Sequence, residues 1–557
     1  MKESRIILIF LVAVFSLMFL SKAGVFIGLG DEASHSLAAM FYSDFARFWI
    51  GSPTFSVGEM FDFAIEYQTL YKAMGTMRHW PPLQHWLMGA STFIFGKSVE
   101  ALRIPGLIES TLILLLTFLI SRKMFDQKRI LMPLIAAFFV LFNPIFFHYG
   151  PATGIDLIST LTYTATFFFL FMFLKTDDKR YFYLMTVSMA LGIMGKQTMA
   201  ILLPLILLSL IVEKREFFSL KNKGIFLKSF MIFILILSPY YIFMESVFLS
   251  IGFQGIENTV LRNVVNTEVG LGQFTLARDV MLMNNPPIWE PISKLTSSLS
   301  AVFYQFLLLP FFILFLWKAP RKNGYWSALF FSMSFVVFFT LFSHVELRYL
   351  LPCIPIATVL AVRGLFQMQD LNKIRILFKP VLVILMAAAM IFTFEYVSTM
   401  NAYDTAENKV FAADYVIANT DEPASVVAFR REIWGFVFDI KGIDYIYVMK
   451  PAHYNRGGVE VETNLTDEEE LAIMLESEGY VERPSKPSWN RTGFNHPPIQ
   501  WVLISEQQIL AEKYNFETGR TIKEFMDERE DFELVKVVNG NLPENRIFIF
   551  ERVYPSQ

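Results

Sequence analysis

Long apolar runs separated by short polar stretches fill the chain as far as about residue 398, and the pattern then changes. Crossing a hydrocarbon core of about 30 Å takes about 20 mostly apolar residues in a helix. Eleven runs approach that length, near 6–28, 101–120, 130–148, 156–174, 181–195, 198–212, 226–250, 298–317, 325–343, 349–366 and 380–398. The pair at 181–212 is the most interrupted, by Gly192, Gly195 and Lys196. Beyond 399 the apolar runs shrink to strand length: Val426–Phe429, Tyr445–Val448, Trp501–Ile504, Leu534–Val538 and Ile547–Phe550 read as buried strands. A helix is expected over Ala406–Asn419. A second opens on the capping box Thr466-x-x-Glu469 and runs to about Glu478. The pattern predicts an α-helical polytopic membrane protein with about eleven transmembrane helices, followed by a soluble α/β domain. The membrane part is 1–398, with a long loop at 29–100, and the soluble part is 399–557.

Basic residues orient the bundle. With the N-terminus in the cytoplasm, the inner loops carry Arg122, Lys123, Lys128 and Arg129; Lys175, Lys179 and Arg180; Lys214, Arg215, Lys221, Lys223 and Lys228; Lys318, Arg321 and Lys322; and Arg363, Lys373, Arg375 and Lys379. The segment 149–155 has no basic residue and 344–348 has only Arg348. Cytoplasmic loops are the ones that accumulate Lys and Arg, so the loop 29–100, the turn before Asp156, the loop 251–297 and the C-terminal domain are expected outside the cell membrane. Lys2 and Arg5 resemble a signal-peptide n-region, but Ser21-Lys22-Ala23 is a poor cleavage site, so the first run is expected to stay as an anchor.

Composition narrows the class. Of 557 residues, 54% are hydrophobic, 59 are Phe and only 18% are charged, against about 25% charged in soluble chains. The net charge of −3 gives no bulk basic signal for nucleic acid. That value is a cancellation: residues from 399 onward carry 28 acidic and 16 basic side chains, leaving 23 acidic and 32 basic before them. One cysteine, Cys353, excludes an internal disulfide framework, and the seven His show no H-x-x-x-H spacing. No metal site is expected.

Ionisable residues among apolar runs are functional candidates. Asp31-Glu32 follows the first run directly and is either a carboxylate pair able to take a proton or the acidic start of a helix. Asp156, in Gly-Pro-Ala-Thr-Gly-Ile-Asp, maps to the same face with the same two readings. Lys196, Arg348 with Tyr349, and Arg103 gather positive charge there, suited to a phosphate or, equally, to ion pairs with Asp31 and Asp156. His79 stands in Arg-His-Trp-Pro-Pro-Leu-Gln-His-Trp, where Pro81 and Pro82 open a segment, 83–95, too short to cross and expected in the interface plane. His79 is either a ligand or proton shuttle, or a structural residue.

The ordered set resembles a family. The acidic pair after the first run, the Pro-Pro-Leu segment with Trp86, Phe95-Gly96, Ala101-Leu102-Arg103-Ile104-Pro105, Asp156 after a short turn, Gly195-Lys196 and Arg348-Tyr349-Leu350-Leu351-Pro352 are similar to those of GT-C glycosyltransferases of the protein O-mannosyltransferase and aminoarabinose-transferase type. The resemblance covers about 1–366. It implies a GT-C-like bundle that moves a hexose or pentose, with inversion, from a polyprenyl- or dolichyl-phosphate carrier to an acceptor protein, lipid or glycan outside the membrane, with no cofactor besides the lipid-phosphate sugar. It implies Asp31 as general base with Glu32 beside it, Asp156 positioning acceptor or sugar, and Lys196 and Arg348 holding the carrier phosphate. Trp80 stands where aminoarabinose transferases carry Lys, and Ser34 and His35 where they carry Arg, so the sugar is left open. The W-W-D-Y-G motif of oligosaccharyltransferases is absent. The alternative is a transporter or flippase for a lipid-linked or anionic substrate, using the same charges as a path. Transporters favour charges at the midplane and paired repeats; here the acids map to one face. A reporter fused after residue 399 should register outside the membrane, and a cytoplasmic signal would overturn this topology.

Overall fold

In the computed structural model the chain is described at residues 2–22, 31–51, 81–125, 130–219, 222–250, 289–303, 307–318, 324–340, 347–370, 375–403, 407–420, 425–429, 445–449, 480–482, 493–495, 500–505, 522–539 and 546–553. Its elements are mostly helices as far as Tyr403. Each apolar run has its helix, but several are broken. The run 130–148 divides at Asn143, whose side chain accepts from the backbone N–H groups of Ile145 and Phe146 and so caps a new turn, Pro144–Tyr149. Proline at the first position of that turn removes a donor that would have no partner. The run 181–212 breaks at Lys196, whose backbone is extended (φ −158°, ψ 129°) between helix Lys179–Gly195 and the 3₁₀ turn Gln197–Ile201. Among the described residues four helical stretches are long and apolar enough to cross a membrane: Val99–Met124, Asp156–Thr176, Leu347–Gln367 and Phe378–Thr399. The last is the barest, with many apolar side chains facing outward (Val383, Ile384 and Ile391 among them).

Packing inside the bundle depends on close backbone approach. A Cβ on Gly364 would lie 1.8 Å from the Phe311 carbonyl oxygen, so helix Ile354–Gln367 meets helix Leu309–Lys318 where only glycine fits. Small residues play that part in membranes, where burial from water supplies no driving force between helices. Buried hydroxyls find partners on their own helix: Ser159, Thr160, Thr162 and Thr164 donate to carbonyls four residues back, which is how polar side chains persist where water is absent. Tyr163 Oη donates to the Phe331 carbonyl at 2.6 Å and ties helix Asp156–Thr176 to helix Tyr325–Thr340.

Within the expected loop 29–100 lie helix Asp31–Gly51 and helix Leu83–Phe95. They cross at Gly89, where a Cβ would stand 2.8 Å from the Ala39 carbonyl oxygen.

Beyond the bundle, helix Glu407–Ala418 precedes strands β1 (Ser425–Phe429), β2 (Tyr445–Met449), β3 (Tyr480–Glu482), β4 (Gly493–Asn495), β5 (Trp501–Ser505), β6 (Phe532–Val538) and β7 (Ile547–Arg552). Five form one sheet in the order β2-β1-β5-β7-β6, parallel across β2, β1 and β5 and antiparallel from β5 to β6. The five apolar runs expected to be strands coincide with these five. At the turn into β6, Arg529 forks onto Asp531 at 2.7 and 2.9 Å. Burial opposes ionisation of Asp531, yet Arg529 and Arg552 hold its carboxyl below the usual carboxylate range. The helix expected at 466–478 lies outside the described residues.

Candidate active site

Two antiparallel helices build the centre of the site. Helix Asp156–Thr176 runs away from its acidic first residue, ends at Asp177 in the left-handed conformation (φ 61°), and helix Lys179–Gly195 returns. Asp178 caps the return by accepting from the Arg180 N–H at 2.9 Å. The two helices lie close because Gly192 and Gly195 face Thr162 and Ile158: a Cβ on either would come within 3.0 Å of those side chains. The hairpin therefore delivers Lys196, at the end of the second helix, beside Asp156, at the start of the first. Both charges suit their helix ends, an anion at an N-terminus and a cation at a C-terminus.

Lys196 Nζ donates to Asp156 Oδ1 at 2.5 Å, and both side chains are buried. Arg348 Nε stands 3.8 Å from Asp156 Oδ2. Arg348 rides on the 3₁₀ segment Leu347–Cys353, which packs against helix Asp156–Thr176. Tyr349 completes the cluster, its ring centroid 4.2 Å from Lys196 Nζ and 5.5 Å from Arg348 Cζ. A ring face attracts cations, so Tyr349 holds two positive groups together that would otherwise repel.

The start of helix Asp31–Gly51 is brought to this centre by a hydroxyl clasp. Ser36 Oγ donates to the Glu32 carbonyl at 2.7 Å and lies 3.1 Å from the Thr153 hydroxyl, which reaches the same carbonyl at 3.4 Å. Thr153 belongs to the turn that leads into Asp156, so the first turn of helix Asp31–Gly51 is fastened to it. Helix Val99–Met124 supports the turn from below: Ser110 Oγ donates to the Gly150 carbonyl at 3.1 Å, and Gly106 leaves room for the carbonyls of Gly150 and Ala152. Tyr149 lies in electrostatic range of Arg348, Asp156 and Glu32, which marks these residues as one neighbourhood.

The structure thus joins Asp156, Lys196, Arg348 and Tyr349 directly and brings Glu32 alongside. Asp31 is the first residue of its helix; its side chain and the whole of His79 lie outside the described residues. Arg103 has a structural contact of its own. Its Nη1 donates to the Lys22 carbonyl at 3.0 Å, in electrostatic range of Glu32 and Glu100, so it pins the end of the first helix to the bundle. Lys22 Nζ sits 3.4 Å from His148 Nδ1. Lys22, His148, Tyr149 and Thr153 were not singled out as site residues from sequence. For Lys22 the signal was present, a cation at the end of an apolar run facing the same end as Asp31. Among the described residues no group of three His, Cys, Asp or Glu could hold a metal ion.

This architecture has known counterparts. Residues 79–243 match the family model described as dolichyl-phosphate-mannose-protein mannosyltransferase. Residues 294–433 match that of the Alg9-like mannosyltransferase family. No curated protein matches the sequence. A crystal structure of ArnT from Cupriavidus metallidurans bound to undecaprenyl phosphate is similar with a TM-score of 0.61 at 13% identity, covering 98% of each chain. The Archaeoglobus fulgidus oligosaccharyltransferase in the apo form gives 0.53 at 12% identity, over 89% of this chain and 70% of that one. The archaeal oligosaccharyltransferase AglB from Archaeoglobus fulgidus, in complex with an inhibitory peptide and a dolichol-phosphate, gives 0.51 at 13% identity, over 90% and 70%. The structural likenesses carry the fold, and the two family matches carry the enzyme class. The chain is a polytopic membrane protein with the GT-C fold, a membrane glycosyltransferase. The transporter alternative finds no support among these matches.

Asp156→Asn and Lys196→Met should each lower the thermal unfolding midpoint in detergent, since each strands a buried charge. The double variant should lose less than the sum of the two, a coupling of about 1–3 kcal/mol. Strict additivity would mean that the pair contributes nothing.

Proposed function

We propose that this protein transfers a sugar from a polyprenyl- or dolichyl-phosphate carrier to an acceptor hydroxyl at the outer face of the cell membrane, with the C-terminal domain on that same side. The observation that carries this reading is the Asp156–Lys196–Arg348–Tyr349 cluster clasped through Thr153 to the helix that begins at Asp31. Two cations at the end of a bundle, at the level where apolar helices give way to loops, suit the headgroup of a phosphate lipid. The solved ArnT structure was bound to undecaprenyl phosphate, which supports a lipid phosphate as the donor's carrier.

In the proposed reaction the Asp31 carboxylate takes the proton of the acceptor hydroxyl, with Glu32 beside it. The hydroxyl oxygen forms a bond to the anomeric carbon from the face opposite the phosphate, so configuration inverts. The bond from that carbon to the phosphate oxygen breaks, and its electron pair leaves with the phosphate. Lys196 and Arg348 stabilise the charge that builds there, an electrostatic contribution of the kind that dominates many active sites. Holding donor and acceptor in one place supplies the rest through proximity. The donor is already activated, so no cofactor enters the scheme, and no metal is called on. Acceptors in keeping with this chemistry are hydroxyls of a protein, a lipid or a growing glycan.

Purified protein in lipid, given a panel of radiolabelled polyprenyl-phosphate sugars, should release label from at least one carrier. Asp31→Asn should slow that transfer by about 10²–10⁴-fold while donor binding stays near wild type. Transfer at the wild-type rate would remove Asp31 as the base, and failure to bind or consume any lipid-phosphate sugar would overturn the donor class.

A further inference from the structure

The reaction above changes the charge of the ligand that the cations hold. A sugar linked through phosphate to a lipid is a diester with one negative charge. The lipid phosphate left after transfer is a monoester, whose second ionisation near pH 6 gives it about −1.5 to −2 at neutral pH. Attraction scales with the product of the charges. Two unopposed cations would therefore hold the product about twice as strongly, in free energy, as they hold the donor. An enzyme built that way would release its leaving group more slowly.

The observed site is not built that way. Lys196 and Arg348 both face the Asp156 carboxylate, at 2.5 and 3.8 Å, in a setting where the acid and Lys196 are buried and screening by water is weak. The further described charges around Arg103 are two of each sign, Lys22 and Arg103 itself against Glu32 and Glu100. The acid is held by its place in the fold, since Asp156 opens its helix and its Oδ1 accepts from Lys196 Nζ.

We propose that Asp156 is a charge-matching residue: it cancels one of the two positive charges of Lys196 and Arg348, so that the site still accepts the singly charged donor while the premium it gives to the doubly charged lipid phosphate that must leave is halved in free energy. This inference rests on the carrier-phosphate reading and adds to it a function for the acid. As charge develops on the departing phosphate, Asp156 repels it while the two cations still orient it. Part of the barrier lowering is given up, and product release is gained. Asp156 acts here as a positioning and specificity residue, through Lys196 and Arg348, and not as the group that takes the proton.

The test is binding by the full-length protein in lipid nanodiscs at pH 8, with a short-chain polyprenyl phosphate and with its methyl ester, a diester of one charge. Wild type should bind the two within about threefold of each other. In Asp156→Asn the diester should tighten by about threefold and the monoester by about tenfold, the second being the square of the first because the charge doubles. A purely structural role for Asp156 would weaken both lipids or move both equally, and either result overturns the inference. Should the variant fail to fold, the wild-type ratio decides alone: a preference for the monoester beyond about tenfold overturns it. If neither lipid binds wild type, the carrier-phosphate reading falls as well, whereas binding of both with the wrong ratio sinks this inference only.

Discussion

Everything at the site depends on one buried ion pair, Asp156 with Lys196. Charges taken out of water are costly unless matched, and this match is enforced by the backbone. The hairpin turns at Asp177-Asp178, its helices touch through Gly192 and Gly195, and its open end can only put residue 196 beside residue 156. Once that pair is set, a third charge can be added at little further cost. Arg348 arrives on a separate segment, and Tyr349 lays a ring against both cations. The result is a fixed island of charge at the end of an apolar bundle, which is the requirement for holding a phosphate whose lipid stays in the membrane.

The surrounding helices serve that island mainly by keeping it in register. Hydroxyls join the Asp31 helix to the Asp156 turn, through Ser36 and Thr153. Such contacts are short-ranged and directional, so they set position without altering the local charge. Helix Val99–Met124 then supports the turn through Ser110 and the bare Cα of Gly106. At the far end of the hairpin, Lys214 pairs with Asp177 at 2.6 Å and Lys175 donates to the Lys123 carbonyl, so the basic loops have their own anchoring there. The two ends of the bundle thus differ in kind: one holds the buried Asp156–Lys196 pair with Arg348, the other basic loops paired at the more exposed Asp177.

Much of this was legible in the sequence, for stated reasons. Asp156, Lys196 and Arg348 stand out because ionisable residues are rare in apolar runs, and the resemblance in motif order attached a role to each. The five strands past 420 are visible as short apolar runs between turns. Their spatial order is not, because β1 lies between β2 and β5 through contacts that no local pattern encodes. Arg103 shows the limit from the other side: its type and position suit a phosphate, and only the fold reveals that one of its donors, Nη1, meets the Lys22 carbonyl. Thr153 and Tyr149 were invisible because nothing about a threonine or a tyrosine near a turn marks it until the fold brings a partner. The buried His35–His85 contact at 2.9 Å belongs to the same class, two residues 50 apart on helices whose crossing depends on Gly89.

The proposed reaction stands or falls on where a lipid phosphate goes. A cryo-electron microscopy structure of the protein in nanodiscs with a bound polyprenyl phosphate measures this most directly. Phosphate oxygens are expected within hydrogen-bond distance of Lys196 Nζ and the Arg348 guanidinium, with Asp156 still facing both. A phosphate seated elsewhere on the bundle, with Lys196 and Arg348 untouched, would contradict it.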